Sequence, residues 1–315
     1  MESYFLDKRT YVESERLCET KFAENGPFWH LTTPGSNQEI IFTNNEELQQ
    51  GITFAAVCAA TLNIRIIAFE LMSNHIHFIL AGSKEAGLEF FNQFKSRLKR
   101  YFALEHRFLT MRHFNVNDGL IPIADLSMLR NEIVYVHRNQ YVINTMITPY
   151  SDLYGTGYLY FCPLGFELSG EQFNSMTVRR KKALLKGRAI TLPDSYYCRD
   201  GYIQPASFCF IREGEQYFRN AHHYFTSLLK SYEAYSETAK RLGDTVSITD
   251  DEMYFAVSAM CSKDYNTSVP YTLPVKDKMD VARKMKSDYC ASPQQIKRIL
   301  KLDNSVISEL FPRTV

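Results

Sequence analysis

Hydrophobic and polar positions follow two periods along the first half of the chain. Short runs rich in β-branched and aromatic residues predict strands, whereas longer segments with apolar residues every three or four positions predict helices. The predicted strands are "FWHLTTPG" (28–35), "IRIIAFELM" (64–72) and "HIHFIL" (75–80). The predicted helices are "NNEELQQGITFAAVCAATLN" (44–63), "GLEFFNQFKSRLKRYFALEH" (87–106) and "LSMLRNEIVYVHRNQYVINTM" (126–146). Without a dinucleotide fingerprint among them, this order favours an α+β fold with helices on an antiparallel sheet.

The second half is predicted to be mainly helical. Near its end, "VARKMKSDYCASPQQIKRILKLDNSVISELF" (281–311) has the pattern of three short helices joined by turns, with Ser292, Pro293 and Gln295 as a capping box. The pattern fits a DNA-contacting helix-turn-helix or a plain three-helix subdomain equally. We therefore predict a lead-in at 1–25, a catalytic-type domain at 26–165, a helical extension at 166–265 and a helix-turn-helix-like domain at 266–315.

Composition narrows the class of protein. The 315 residues hold 36 Lys and Arg against 35 Asp and Glu, and 45% are hydrophobic, as in a soluble globular protein. No run reaches the roughly 20 apolar residues of a membrane span, and the charged start lacks a signal-peptide core. Seven cysteines without a CxxC pair argue against a disulfide framework or a zinc ribbon. We expect a cytoplasmic protein that does not enter a membrane.

The balanced net charge hides three basic clusters. Such clusters favour contact with a polyanion such as DNA, although a solvated helix face is the commoner explanation of any single cluster. The predicted DNA-binding residues are Lys95, Arg97, Lys99 and Arg100; Arg179, Arg180, Lys181 and Lys182; and Lys297, Arg298 and Lys301.

Two histidines interrupt the apolar run "FELMSNHIHFIL" (69–80). Because side chains alternate along a strand, His75 and His77 are predicted to share the face opposite Ile76, Phe78 and Leu80. Paired imidazoles are either satisfied core groups or metal ligands, and a metal site would need a third ligand.

A helix further along offers that ligand. Tyr135 and Asn139 are four residues apart and therefore share a helix face, whereas His137 points elsewhere and is predicted to pack in the core or to support the site. The amide oxygen of Asn139 could complete a site with two histidines. Tyr135 would then be a nucleophile towards a phosphate; otherwise it is one of 20 tyrosines with a packing role.

Three segments, taken in order, resemble the single-tyrosine HUH transposases, and within them the REP-associated tyrosine transposases of bacteria. "FWHLTTPG" resembles the family's opening strand, "AFELMSNHIHFIL" its metal-binding strand and "YVHRNQ" its nucleophile helix. The chain departs from the family at Gln140, where a proline is usual, and at "YSDLYGTGYLYF" (150–161), where the family has a tryptophan-serine-serine-tyrosine segment.

The resemblance implies a ferredoxin/RRM-like antiparallel sheet with helices on one face, followed by a mainly helical region that ends in a helix-turn-helix. It implies Mg²⁺ or Mn²⁺ held by His75, His77 and Asn139, which with nucleophilic Tyr135 make up the catalytic set. Single-stranded hairpin DNA would lie across the sheet and be cut through a 5′-phosphotyrosine link. Duplex DNA is a further expected partner of the last domain, and the protein would act as a monomer or homodimer.

Two other activities fit the same residues. One is a non-catalytic nucleic-acid-binding module or repressor with the same fold. The other is a hydrolase with a zinc site that activates water and leaves Tyr135 without a role.

Overall fold

A computed structural model describes residues 8–33, 40–104, 119–143, 148–162, 170–229, 238, 250–289 and 291–311. The chain divides into two compact units, of which the first contains 1–141 with 146–229 and the second 142–145 with 230–315. This division differs from the predicted domain boundaries at 165 and 265. Residues 170–229 belong to the first unit, and the helix at 250–265 contacts the helix at 293–300 in the second. No helix in the described ranges combines the length and the apolar character needed to cross a bilayer.

A four-stranded antiparallel sheet forms the centre of the first unit. Its strands are β1 (Phe28–Thr32), β2 (Arg65–Leu71), β3 (Ile76–Ala81) and β4 (Leu120–Ile123), in the spatial order β2-β3-β1-β4. Helix α1 (Lys8–Asn25) precedes the sheet, α2 (Asn45–Leu62) connects β1 to β2, α3 (Lys84–Leu104) connects β3 to β4, and α4 (Leu126–Ile143) follows β4. The first four strands and α2 and α3 thus have the βαββαβ order of a split βαβ unit. The predicted α+β class with an antiparallel sheet is confirmed.

Alternation along β3 sorts its side chains between two cores. Ile76, Phe78 and Leu80 lie in a core with α2 and α3, where the Phe78 ring contacts the rings of Phe90 and Phe94 at centroid distances of 5.2 and 5.4 Å. These edge-to-face contacts hold the strand from one side.

The opposite face of the sheet packs against α4. Ile79 lies there in a second core with Ile133 and Val136 of that helix. Helices α2 and α3 form the layer predicted on one face, and α4 adds a second layer that the pattern did not anticipate. Helices thus bury both faces in this arrangement, and the expectation that DNA lies across the sheet stays a prediction that requires one face to be uncovered.

Residues 170–229 are less helical than predicted. They contain a small antiparallel sheet of β5 (Glu171–Gln172), β6 (Tyr197–Arg199) and β7 (Tyr202–Ile203). The helices are short: α5 (Val178–Leu185), α6 (Pro205–Phe208), α7 (Ile211–Glu215) and α8 (Ala221–Leu228). Residues 230–237 and 239–249, which belong to the half predicted to be mainly helical, lie outside the described residues.

The second unit contains α9 (Asp250–Tyr265), α10 (Val275–Tyr289), α11 (Pro293–Leu300) and α12 (Asn304–Leu310). The N-cap half of the predicted capping box is confirmed, since the Ser292 hydroxyl accepts a hydrogen bond from the backbone N–H of Gln295 at 3.2 Å and Pro293 occupies the first turn. The Gln295 side chain hydrogen-bonds Asp250. The three predicted short helices are therefore α10, α11 and α12.

His137 anchors α4 to the segment that follows it. Its two ring nitrogens each lie 2.9 Å from a hydroxyl oxygen, one of Tyr224 and one of Thr156, and its side chain is buried. The predicted packing role of His137 is confirmed. Burial lowers the pKa of His137 to about 3.

This pKa makes the fold sensitive to acid. The folded protein keeps His137 neutral, whereas the unfolded chain protonates it below about pH 6.5, so its contribution to stability is lost as the pH falls from there towards 3. Between pH 7 and pH 5 we expect His137 to account for about 2 kcal/mol of the loss in unfolding free energy. Denaturant titrations at the two pH values measure it. The difference in unfolding free energy between the two pH values should shrink by that amount in His137→Gln. It should stay unchanged in the control His222→Gln, which alters an exposed histidine.

Candidate functional site

The candidate site lies where β3 begins, between the sheet and α4. His75 directly precedes β3 and His77 lies within it, and their ring centroids are 4.9 Å apart. The turn before them is closed by a hydrogen bond from the Met72 backbone N–H to the His75 carbonyl, 3.0 Å long. The two imidazoles lie on one side of the strand, as alternation predicts.

Helix α4 presents three side chains to these histidines. Glu132, Tyr135 and Asn139 follow one another at spacings of three and four residues and therefore form a stripe along the helix. Asn139 lies between the histidines, with Nδ2 2.9 Å from Nε2 of His77 and Oδ1 3.4 Å from Nε2 of His75. The Tyr135 ring centroid lies 5.6 Å from that of His77. The structure thus brings all four predicted catalytic residues together.

Two further residues join the site without having been predicted. His30 on β1 has its Nε2 3.1 Å from Nδ1 of His77 and its Nδ1 3.0 Å from Oε2 of Glu132. All three side chains are completely buried. Two features of the sequence could have indicated them. His30 lies in the strand segment "FWHLT", and Glu132 lies one helical turn before Tyr135.

His77 is electrically neutral in this setting. Burial, followed by the proximity of His75 and His30, holds the pKa of His77 well below its usual value. Neutral imidazole is the form that binds metal ions, since protonation occupies the lone pair.

The donor set fits a divalent cation. In His75, Nδ1 lies 2.8 Å from the Asn74 side-chain oxygen and Nε2 faces the Asn139 oxygen. A neutral imidazole carries one N–H proton, so His75 can donate to only one of these two oxygens. The shorter contact is the better hydrogen bond, which leaves the Nε2 lone pair directed at Asn139. The two imidazole nitrogens thus face one amide, with its nitrogen on the His77 side and its oxygen on the His75 side. Within the described ranges no three His, Cys, Asp or Glu side chains gather as a metal site, so a metal held here would need a ligand of another kind, such as the Asn139 oxygen.

The site is closed to large ligands in this arrangement. His75, His77, Tyr135 and Asn139 are at most 6% exposed. A phosphodiester can therefore reach Tyr135 only when residues that cover the site move.

A basic cleft lies elsewhere in the first unit. It has a volume of about 530 Å³, and its lining combines Arg97 and Arg100 of α3 with Lys186 and Arg188, which follow α5. The aromatic ring of Tyr101 lines it as well. Helix α3 packs on the sheet face that carries Phe78, so the cleft and the histidines lie on opposite sides of the sheet. Two clusters that are distant in sequence thus contribute to one cationic cavity.

The other predicted DNA-binding residues of the first unit have varied surroundings. Lys95 lies over the Phe91 ring, with Nζ 5.5 Å from its centroid, and Lys181 donates to the Asn174 carbonyl at 2.9 Å. Arg180 forms an ion pair with Glu171. The remaining three are exposed and line neither this cleft nor the described site: Lys99, Arg179 and Lys182.

In the second unit, two of the three predicted cations contact neighbours within that unit. Arg298 makes a two-point ion pair with Asp250, at 2.5 and 2.9 Å, and Lys301 lies over the Tyr271 ring at 3.9 Å from its centroid. Lys297 is half-buried on α11. The cations thus belong to α11 and its end, whereas α12 carries Glu309 and no Lys or Arg.

Comparisons of the chain with models of known protein families, with curated proteins and with solved structures give no significant match.

We expect the protein to bind polyanions through the cleft, with Arg97 and Arg100 contributing to the affinity. Replacing Arg97 and Arg100 together with Gln removes two positive charges from the cavity, so the double variant should elute from heparin at lower salt than the wild type. The matched control replaces Lys84 and Lys263 with Gln. Both lysines are exposed and lie outside the cleft, so the control loses the same net charge as the arginine variant. Equal elution of the two double variants would contradict a role for the cleft.

Proposed function

We propose that the protein is a metal-dependent single-stranded DNA endonuclease and strand transferase of the HUH transposase type. The observation that carries the proposal is the convergence of Tyr135, Asn139, His75 and His77 from two distant parts of the chain. The resemblance of three short segments implied this grouping, and the βαββαβ topology is compatible with the implied fold.

Each side chain has a distinct role in this proposal. His75, His77 and the Asn139 oxygen would hold Mg²⁺ or Mn²⁺, which when bound neutralises charge on the scissile phosphate. Two imidazoles soften the ligand set, so Mn²⁺ should serve at least as well as Mg²⁺. Tyr135, on the same helix face as Asn139, lies where its phenol can be brought to that phosphate.

The reaction exchanges one phosphodiester for another. The Tyr135 phenol oxygen forms a bond to phosphorus, the bond to the 3′-oxygen breaks, and the phenolic proton is transferred in net terms to that oxygen. The products are a 5′-phosphotyrosine link and a free 3′-OH. Rejoining reverses these steps with another 3′-OH, and because the energy of the ester is retained no nucleoside triphosphate is needed.

The basic cleft would hold part of the DNA, such as a hairpin stem, on the sheet face away from Tyr135. The strand to be cut would reach Tyr135 after the site opens. Duplex DNA would contact the second unit near Lys297 on α11, as a helix-turn-helix would.

A non-catalytic nucleic-acid-binding module is the second candidate. The observation that favours it is the burial of Tyr135, which is only 2% exposed, together with a cationic cleft that needs no chemistry to bind DNA. This candidate predicts binding to hairpin DNA without a covalent product.

A covalent adduct distinguishes the two. Incubation of the protein with single-stranded hairpin DNA and Mn²⁺, followed by a denaturing gel, should give a protein–DNA adduct that chelation prevents. Tyr135→Phe removes the attacking oxygen and should lower adduct formation by at least about 1000-fold. The control Tyr196→Phe alters another buried tyrosine, which packs in the core with α2 and α3, and should retain the adduct.

The other outcomes count against the proposal. Adduct that survives in Tyr135→Phe or in excess chelator contradicts the assigned nucleophile or the metal. Cleavage without adduct, retained in Tyr135→Phe, indicates a zinc hydrolase that uses water. Binding of the DNA with no cleavage in the wild type indicates the non-catalytic module.

A further inference from the structure

We propose that His30 and Glu132 are positioning residues that keep the proton of His77 on Nδ1 and thereby set the affinity of the site for a divalent cation. This inference rests on the proposed function, because it assigns His77 as a ligand. It adds two residues to the site that were not predicted from the sequence.

The hydrogen-bond chain has a direction. In the proposed chain Glu132 is an ionised carboxylate, which can only accept, so Nδ1 of His30 carries the proton that lies between them. His30 is neutral in this chain, so its Nε2 is unprotonated and accepts from Nδ1–H of His77 at 3.1 Å. His77 is left with an Nε2 lone pair, directed at Asn139. The charge of Glu132 thus favours, through one intervening ring, the tautomer that binds a metal.

The positions of the three groups come from separate elements. In the β1–β3 register Ile79 is opposite His30 and Thr32 is opposite His77, so the two histidines are diagonal neighbours on the same face. Glu132 approaches from α4 on the far side of His30. Because both strands and the helix are packed, the two rings and the carboxylate have little freedom to exchange partners.

The two candidate ligands differ in their support. His75 is held by Asn74, a neutral and partly exposed amide, whereas His77 is held by a completely buried chain that ends in a carboxylate. Hydrogen bonding to a carboxylate raises the basicity of a ligating imidazole and fixes its orientation. His77 is therefore expected to be the stronger ligand, and its support should dominate metal affinity.

The test measures Mn²⁺ binding to the full-length protein without DNA, by the loss of the free-ion signal in electron paramagnetic resonance. Glu132→Gln keeps the size of the side chain but removes the charge, and it should raise the Kd for Mn²⁺ by about 10- to 100-fold. His30→Gln interrupts the same chain and should act in the same direction. The control Tyr224→Phe removes a hydrogen bond from a buried imidazole outside the chain, that of His137 on α4, and should leave the Kd unchanged.

A second measurement needs no metal. Long-range ¹H–¹⁵N correlation spectra of the wild type distinguish the two neutral tautomers of an imidazole, and we expect His77 to be protonated on Nδ1. In Glu132→Gln the form protonated on Nε2 should appear. This shift is one that a merely structural role would not produce.

Failure of this inference can be distinguished from failure of the proposed function. A wild-type His77 protonated on Nε2, or an unchanged Kd in folded Glu132→Gln and His30→Gln, overturns the inference alone, even if the wild type binds Mn²⁺ and forms the adduct. If Glu132→Gln does not fold, the wild-type tautomer and His30→Gln decide. Wild-type protein that binds no Mn²⁺, or binding that persists in His77→Ala, overturns the inference together with the metal role in the proposed function.

Discussion

The buried chain from Glu132 through His30 to His77 is the constraint on which the site depends. A carboxylate without exposure to water is costly unless hydrogen bonds compensate it, so the three groups must meet. A slip of β1 by one residue would turn His30 towards the core that contains Phe78 and leave Glu132 without this partner. The same chain that orients His77 therefore also specifies the strand register and the rotation of α4.

Much of the fold and half of the site follow from local patterns. Alternation along β3 is enough to separate the histidine pair from Phe78 and its neighbours, because one face of the strand meets aromatic residues of α3. Helical spacing is enough to group Tyr135 with Asn139 and to exclude His137. Each of these inferences needs only the geometry of a single element, which is why the sequence suffices.

The rest depends on pairings between elements. His30 lies 47 residues from His77 and 102 from Glu132 along the chain, and no periodicity links them. The burial of the second sheet face by α4 and the meeting of Arg97 with Lys186 in one cleft are equally non-local. Charge counts also could not show that Arg298 is committed to Asp250 or Arg180 to Glu171. Ion pairs of this kind leave fewer cations for a polyanion than the sequence indicates.

The separation of cleft and site restricts how DNA could use both. Residues 154–156 border the β2 edge of the sheet, where the Leu71 N–H donates to the Tyr154 carbonyl and the Thr156 N–H to the Phe69 carbonyl. A strand that passes from the cleft to Tyr135 would more readily round the end of the sheet, at the turn before His75. That turn is held by Ser73, whose carbonyl accepts from the N–H groups of Ile41 and Phe42 at 2.6 and 3.0 Å. Asn74 and His75 belong to the same turn, so a movement there would also move one of the proposed ligands, whereas the chain behind His77 lies on β1 and α4.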